Sequence, residues 1–180
     1  PMLIVACAAA LLLLEPDFGA TVVLMATSLG LLFVGGARLR DFLLAVLVGG
    51  AALGALALTS KERIERLTTF LNPWADPYAS GFQLTQSLIA IGRGEWLGVG
   101  LGASVQKLFY LPEAHTDFVF AVLAEELGLI GVVVTLALFV LLVWRAFVIS
   151  RHAADAGLPF QAFCAAGFAI WLGLQTFINV

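Results

Sequence analysis

Two polar stretches decide how this sequence folds: residues 72–88, NPWADPYASGFQLTQSL, and residues 110–118, YLPEAHTDF. A glycine-rich passage joins them, and nearly unbroken runs of leucine, valine, alanine, phenylalanine and glycine lie on either side. Proline and glycine mark turns throughout this polar region. We therefore expect the polar loop to be the working site, and the apolar segments to hold it at a membrane surface.

The composition is typical of an integral membrane protein. Of the 180 residues, 62% are hydrophobic and 12% are charged, whereas soluble domains are close to half apolar and a quarter charged. We predict an all-α fold, a polytopic transmembrane helical protein with a large extracytoplasmic loop. The net charge of −3 indicates neither an acidic nor a basic partner, so no nucleic-acid partner is expected. Cys7 and Cys164 lie in apolar runs without metal-ligand spacing, which favours buried hydrophobic packing.

Five apolar stretches account for the predicted spans, since a helix needs about 20 residues to cross a bilayer. They are residues 2–14 (partial), 18–36, 42–58, 125–146 and 160–180 (partial), in a single membrane domain with an external loop at 61–117. The partial spans at both ends lead us to expect an internal piece of a longer protein.

Arginines fix the predicted orientation of these spans. Arg38 and Arg40 lie in one short turn, and Arg145 and Arg151 lie at the end of the span that leads into a second turn at residues 151–157. Short loops rich in lysine and arginine face the cytoplasm. Both turns give the same topology, which places the loop at residues 61–117 outside.

Within the loop, residues 61–70 have the charge pattern of a short interfacial helix. Trp74 and Tyr78 are placed as interface anchors, and residues 83–91 form a second helical pattern. The glycines that follow supply turns and close backbone approach.

Several common catalytic motifs are absent from the sequence. It contains no Walker A loop, no dinucleotide fingerprint, no HExxH or cysteine cluster for zinc, and no GxSxG elbow. Carboxylates therefore remain as the candidates for chemistry.

Asp117 lies where the polar loop meets the following apolar run. Desolvation at such a boundary suits a general base. A Thr-Asp pair before an apolar run also suits a helix N-cap, and spacing alone favours the cap.

Glu125 and Glu126 lie at the predicted membrane boundary, where an unpaired charge is expensive. Structural pairing and a functional role both stay open for them. Glu15 and Asp17 share the predicted external face with Asp117, so a polar cavity shared by all these carboxylates is one interpretation. The other is a capped turn at Glu15-Pro16-Asp17 that starts the helix at Phe18.

Arg93 and Lys107 are the basic groups of the loop proper, and fixed cations of this kind suit an anionic lipid headgroup. Attraction to anionic lipid in general, or a solvated charge, is the alternative. His115 and Asp117 alone are weak support for a metal site. The further polar candidates for substrate binding are Gln83, Gln86, Glu113 and His115.

The loop, from NPWADPYASGFQLTQSL to YLPEAHTDFVFAVLAEELG, resembles the SEDS family (shape, elongation, division and sporulation), and its division branch most closely. The turn EPDFGAT at residues 15–21 is similar to the family's QPD[LF]GT, with Glu15 in place of glutamine and Ala20 in place of threonine. The resemblance covers essentially the whole chain. It implies a protein of about ten transmembrane helices.

The resemblance also implies an activity, the polymerisation of lipid II into peptidoglycan strands on the outer face of the bacterial cytoplasmic membrane. Asp117 matches the family's catalytic aspartate, which deprotonates the 4-hydroxyl of the acceptor sugar. Arg93, Lys107 or a divalent cation, Mg²⁺ or Mn²⁺, would then stabilise the undecaprenyl pyrophosphate leaving group.

The partners implied by the resemblance are a class B penicillin-binding transpeptidase and the FtsQ–FtsL–FtsB complex at the division septum. A lipid II flippase and a non-catalytic division scaffold are the competing functions. Chemistry needs Asp117 at the external surface, whereas transport depends on polar groups at mid-membrane depth.

Overall fold

The computed structural model describes residues 2–15, 17–77, 79, 81–106 and 118–180, and of residues 62, 63, 66 and 67 the backbone alone. Its helices are α1 (Met2–Leu14), α2 (Phe18–Val34), α3 (Leu39–Thr59), α4 (Lys61–Leu71), α5 (Phe82–Gly94), α6 (Val119–Asp155) and α7 (Pro159–Asn179), with a 3-10 turn at Pro73–Ala75. No strand occurs within these ranges. The predicted all-α fold is confirmed.

Three helices, α3, α6 and α7, are long and apolar enough to cross a membrane. The apolar helices α1 and α2 are shorter, with 13 and 17 residues. Large apolar side chains such as Leu138 and Val140 of α6 are exposed along these helices. In water such a surface would be unfavourable, but against hydrocarbon it is what a spanning helix requires. The chain is therefore an integral membrane protein.

The first compact unit comprises residues 1–55 and 139–178. Within it α1 packs on α2, and α2 touches α7 where each helix has a glycine against a side chain of the other. A methyl group on Gly30 would lie 3.1 Å from the Ile170 side chain, and one on Gly167 would lie 3.2 Å from Leu31. Small residues at helix contacts are the usual way in which membrane helices approach closely.

Side chains also fix the turns of this unit. The Asp17 carboxylate accepts a hydrogen bond of 2.9 Å from the Ala20 amide and caps α2, as the capped-turn interpretation predicted. The Ser150 hydroxyl donates to the Ala162 carbonyl, 2.8 Å away, and ties α6 to α7.

The expectation of buried cysteines is wrong, since Cys7 and Cys164 are both exposed on their helices. A thiol behaves as a small hydrophobic group, so it suits a lipid-facing surface as well as a core. The apolar runs around the two cysteines do not distinguish these environments.

The second unit comprises residues 56–138, with residues 179 and 180. It contains α4, the 3-10 turn, α5 and the first part of α6. A side chain on Gly81 would overlap the Pro73 carbonyl, so the start of α5 lies directly against the 3-10 turn. The Thr85 hydroxyl, 3.4 Å from the same carbonyl oxygen, adds a long hydrogen bond.

Helix α6 is broken at Gly128, where φ is 64° and ψ is −166°. After the break, residues 129–155 form an uninterrupted helix of about 27 residues, which is about 40 Å long at 1.5 Å per residue. Left-handed φ values favour glycine because it has no Cβ atom. The break separates Glu125 and Glu126 from the apolar body of the helix.

Candidate functional site

Glu125 is the centre of a buried polar cluster. Its side chain is fully buried, although it lies close to the break in a membrane-spanning helix. The Ser104 hydroxyl donates to Oε2 at 2.5 Å, and the Val105 amide donates to Oε1 at 3.4 Å. Of the two interpretations that the sequence left open for Glu125, the structure shows pairing. Pairing does not test a functional role.

Arg93 is the cation of this cluster. It lies in the last turn of α5, where the negative end of the helix dipole favours positive charge. Its Nη1 atom is 3.5 Å from Glu125 Oε1, while 49% of its side chain is exposed. The guanidinium group has five N–H donors. One edge faces a buried carboxylate, so donors on the exposed side are available to an anionic group.

Residues 95–106 form a segment that we call the strap, which crosses the break in α6. In a continuous helix, the amides of Leu129 and Ile130 would bond to the carbonyls of Glu125 and Glu126. Instead, those amides bond to the carbonyls of Glu95 and Trp96, at 2.9 and 3.2 Å.

The freed carbonyls also find partners in the strap. The Val99 amide donates to the Glu125 carbonyl at 3.0 Å, and the Gly100 amide donates to the Glu126 carbonyl at 3.1 Å. The strap thus replaces every hydrogen bond that the break removes from these two pairs. Backbone groups at membrane depth must be satisfied by protein, because hydrocarbon offers no partners.

Three glycines permit this close contact of strap and helix. A side chain on Gly94 would overlap the Ala124 carbonyl, one on Gly98 would overlap the Glu126 carbonyl, and one on Gly128 would overlap the Gly98 amide. The glycine-rich passage was predicted to supply close backbone approach. For Gly94 and Gly98, the structure shows which backbone is approached.

Sequence reasoning missed Ser104, which belongs to the cluster, and Gln106, a buried residue two positions further along the strap. Ser104 is 1% exposed and Gln106 is 6% exposed. The Ser104 amide also lies 3.4 Å from Glu126 Oε1. The Gln106 Oε1 atom has no hydrogen-bond partner among the described residues. Nothing in the local sequence marks Ser104, since its partners Glu125 and Glu126 come from α6.

A groove of about 550 Å³ lies beside the strap. Its lining is mainly apolar, with Ile91 and Trp96 on one side and Phe120 and Leu129 on the other, and Glu95 as its charged residue. Gly128, at the break in α6, is also part of the groove lining.

The remaining predicted residues are distributed as follows. Glu15 and Asp17 are exposed and belong to the first unit, while Glu125 and Glu126 belong to the second. Gln83 is exposed and Gln86 is half-buried on α5. Lys107, Glu113, His115 and Asp117 lie outside the described residues, and so do Pro16 and Tyr78.

The described residues do not fit a divalent cation site. No group of three or more His, Cys, Asp or Glu side chains among them is arranged to hold a metal. The Glu125 oxygens already face Ser104, Val105 and Arg93. Within the Glu125 cluster, Arg93 is the cation, and the exposed part of its side chain faces away from the carboxylate.

Comparison with known proteins gives a consistent result. A family model described as "Cell cycle protein", FTSW_RODA_SPOVE, matches residues 1–180. The chain is 64% identical over 180 residues to a protein of Nitrosococcus halophilus named "Probable peptidoglycan glycosyltransferase FtsW". It is 60% identical over 181 residues to a protein of the same name from Coxiella burnetii.

In both comparisons all of this chain is covered, with 46% of the Nitrosococcus protein and 48% of the Coxiella protein. The chain thus spans about half the length of the curated relatives it matches. A solved structure described as "Structural coordination of polymerization and crosslinking by a peptidoglycan synthase complex" is similar with a TM-score of 0.69. The identity is 31%, over 99% of this chain and 48% of the other.

Proposed function

The chain belongs to the family of FtsW, RodA and SpoVE cell cycle proteins, and we propose from this that it carries the catalytic loop of a peptidoglycan glycosyltransferase acting in cell division. The observation that carries the proposal is the 64% identity over all 180 residues with a protein named as such an enzyme. The proposed substrate is lipid II, a disaccharide-pentapeptide on an undecaprenyl pyrophosphate anchor.

In the proposed reaction, Asp117 accepts the proton of the acceptor sugar's 4-hydroxyl group. The oxygen then attacks the anomeric carbon of the donor, and the bond from that carbon to the pyrophosphate breaks with inversion. A positioned carboxylate acting as general base accelerates such a step by about 10²–10⁴-fold. The undecaprenyl pyrophosphate leaves with the bonding electrons and carries the new negative charge.

Arg93 is the cation that we propose for the leaving group, together with Lys107. Support comes from its half-exposed side chain and from the buried carboxylate that holds one edge of it. A fixed positive group is most effective where charge develops in the transition state. A divalent cation, Mg²⁺ or Mn²⁺, is the alternative source of positive charge for the leaving group.

We also propose a location and partners. The loop would face outward from the bacterial cytoplasmic membrane at the division septum. A class B penicillin-binding transpeptidase would crosslink the product, and the protein would also join the FtsQ–FtsL–FtsB complex. The similar solved structure is described as coordinating polymerization and crosslinking, which supports the first of these partners.

The test is Asp117→Asn in the full-length protein, purified with its transpeptidase and supplied with lipid II. We expect polymerisation to fall by at least about 10²-fold, because the amide does not accept the hydroxyl proton. The matched control is Asp155→Asn at the exposed end of α6, which should retain activity.

Unchanged glycan synthesis by a folded, partner-bound Asp117→Asn protein would refute the catalytic assignment. Movement of fluorescent lipid II across vesicles is measured in parallel. If that movement requires Asp117 while polymerisation does not, a transporter replaces the enzyme as the better function.

A further inference from the structure

Glu125 joins the two ends of the segment that carries the proposed catalytic residue. The chain enters residues 107–117 directly after Gln106 and leaves them at Phe118, the residue before α6. Glu125 lies on α6, eight residues after Asp117 in the sequence. Its side chain bonds to Ser104 and Val105, so both flanks of the segment are fastened to one carboxylate.

We propose that Glu125 is a positioning residue, which sets the distance between the two flanks of residues 107–117 and thereby places Asp117 for the reaction. The proposal rests on the proposed function, because it assumes that Asp117 is the general base. Glu125 does not touch the reacting atoms in this proposal. It acts through the strap.

The burial of Glu125 favours positioning over stability alone. A fully buried carboxylate loses its hydration, and apolar residues of similar volume often stabilise a fold as well as a buried ion pair does. The pair here is also loose, with 3.5 Å between Arg93 Nη1 and Glu125 Oε1. The short bond is the one to Ser104, at 2.5 Å. The carboxylate is therefore best placed to fix the strap.

Neighbouring backbone contacts fix one end of the strap, and Glu125 fixes the other. The residues from Glu95 to Gly100 pair with α6 through their main chain. Beyond Gly100, the side chains of Glu125 and Glu126 accept hydrogen bonds from Ser104 and Val105. The length of the Glu125 side chain, which we call its reach, is thus the property that matters at the flank of residues 107–117.

This difference between reach and charge makes the proposal testable. Glu125→Asp keeps the negative charge but withdraws the carboxylate by one carbon–carbon bond, about 1.5 Å. Glu125→Gln keeps the length, and its amide can still bond to the Ser104 hydroxyl, which both donates and accepts. Ser104→Ala removes the shortest of the strap's contacts with Glu125, while leaving Arg93 and Glu125 paired.

The experiment measures kcat and KM for lipid II polymerisation by the full-length protein in complex with its transpeptidase. Thermal unfolding in detergent gives the folded fraction of each variant, and the measured kcat is divided by that fraction. We expect Glu125→Asp to lower kcat by about 10²-fold, the effect of an ångström-scale misplacement, with KM changed by less than about threefold. Ser104→Ala should lower kcat in the same direction, and Glu125→Gln should stay closest to the parent.

Matched controls use the exposed Glu65 and the half-buried Ser60, residues of the same two types. Glu65→Gln on α4 and Ser60→Ala before α4 remove a carboxylate and a hydroxyl that lie outside the cluster. Neither should change kcat. In the double variant Ser104→Ala/Glu125→Asp, the two losses should not add, because residues that share one contact couple.

The outcomes separate the two proposals. If Asp117→Asn abolishes polymerisation while Glu125→Asp and Ser104→Ala leave the kcat of folded protein unchanged, positioning is refuted and the catalytic assignment stands. If Glu125→Gln loses more kcat than Glu125→Asp, charge rather than reach matters, and positioning is again refuted. If the Glu125 variants do not fold, Ser104→Ala with an unchanged kcat overturns the proposal by itself. Retained polymerisation in Asp117→Asn refutes the proposed function instead.

Discussion

At the scale of single residues, the most unusual backbone belongs to Glu95, which has φ 46° and ψ −135°. It is the one residue other than glycine with positive φ in the described part of the chain. This conformation aims the Glu95 carbonyl at the Leu129 amide. The strain is therefore part of the pairing between strap and helix, and it lies beside the groove.

Replacing Glu95 with glycine should relieve this strain. Positive φ costs a residue with a Cβ atom about 1–2 kcal/mol. The Glu95 side chain is exposed and contributes little to the stability of the fold. We expect Glu95→Gly to raise the free energy of unfolding by about 1 kcal/mol, measured as a higher melting temperature in detergent. Glu95→Ala, which keeps a Cβ atom, should stay near the parent. A melting temperature lower for glycine than for alanine would contradict this account.

At the scale of elements, the strap and the broken α6 form one unit of structure. The amides and carbonyls released at Gly128 pair with Glu95, Trp96, Val99 and Gly100. Neither partner satisfies its hydrogen bonds alone, and an unpaired backbone group in hydrocarbon costs several kcal/mol. The two should therefore form and melt together.

Two glycines of α5 allow a matched test of this contact. A methyl group on Gly94 would overlap the Ala124 carbonyl, whereas one on Gly92 would meet nothing within 4 Å. Gly94→Ala should lower the free energy of unfolding by about 2–3 kcal/mol. Gly92→Ala should raise it by about 0.5–1 kcal/mol, because alanine is the better helix former. Thermal unfolding of both variants checks the pair, and equal melting temperatures would show that the contact at Gly94 is not tight.

Local patterns predicted the helices better than they predicted the site. The charged pattern of residues 61–70 and the apolar face of residues 83–91 correspond to α4 and α5. The break at Gly128 was not foreseen, because glycine is common inside membrane helices and carries no signal of its own. The pairing of Ser104 with Glu125 depends on strap and helix meeting in space, which no local spacing encodes.

At the scale of the whole molecule, the described helices present mostly apolar surface. Exposure of apolar side chains to water, such as Leu138 and Val140 on α6 and Phe177 on α7, would be unfavourable. The composition alone predicted this class of protein. The orientation in the membrane came from arginine placement, and it remains a prediction.

Cysteine labelling tests that orientation. In a full-length background with Cys7→Ala and Cys164→Ala, we introduce Asp76→Cys in the proposed external loop and Ala156→Cys in the turn between α6 and α7. Both positions are exposed. A membrane-impermeant maleimide should label position 76 in intact spheroplasts, and position 156 only after permeabilisation. The reverse pattern would invert the topology and place the polar loop in the cytoplasm.

The exchange of hydrogen bonds at Gly128 has a consequence for how this protein tolerates insertions and deletions. Trp96 and Leu97 are largely exposed, and the strap holds the helix there through its main chain. Substitutions at such positions leave the pairing intact. One residue added to or removed from residues 95–100 would instead shift every donor away from its acceptor. The number of residues in the strap therefore matters more than the identity of its exposed side chains.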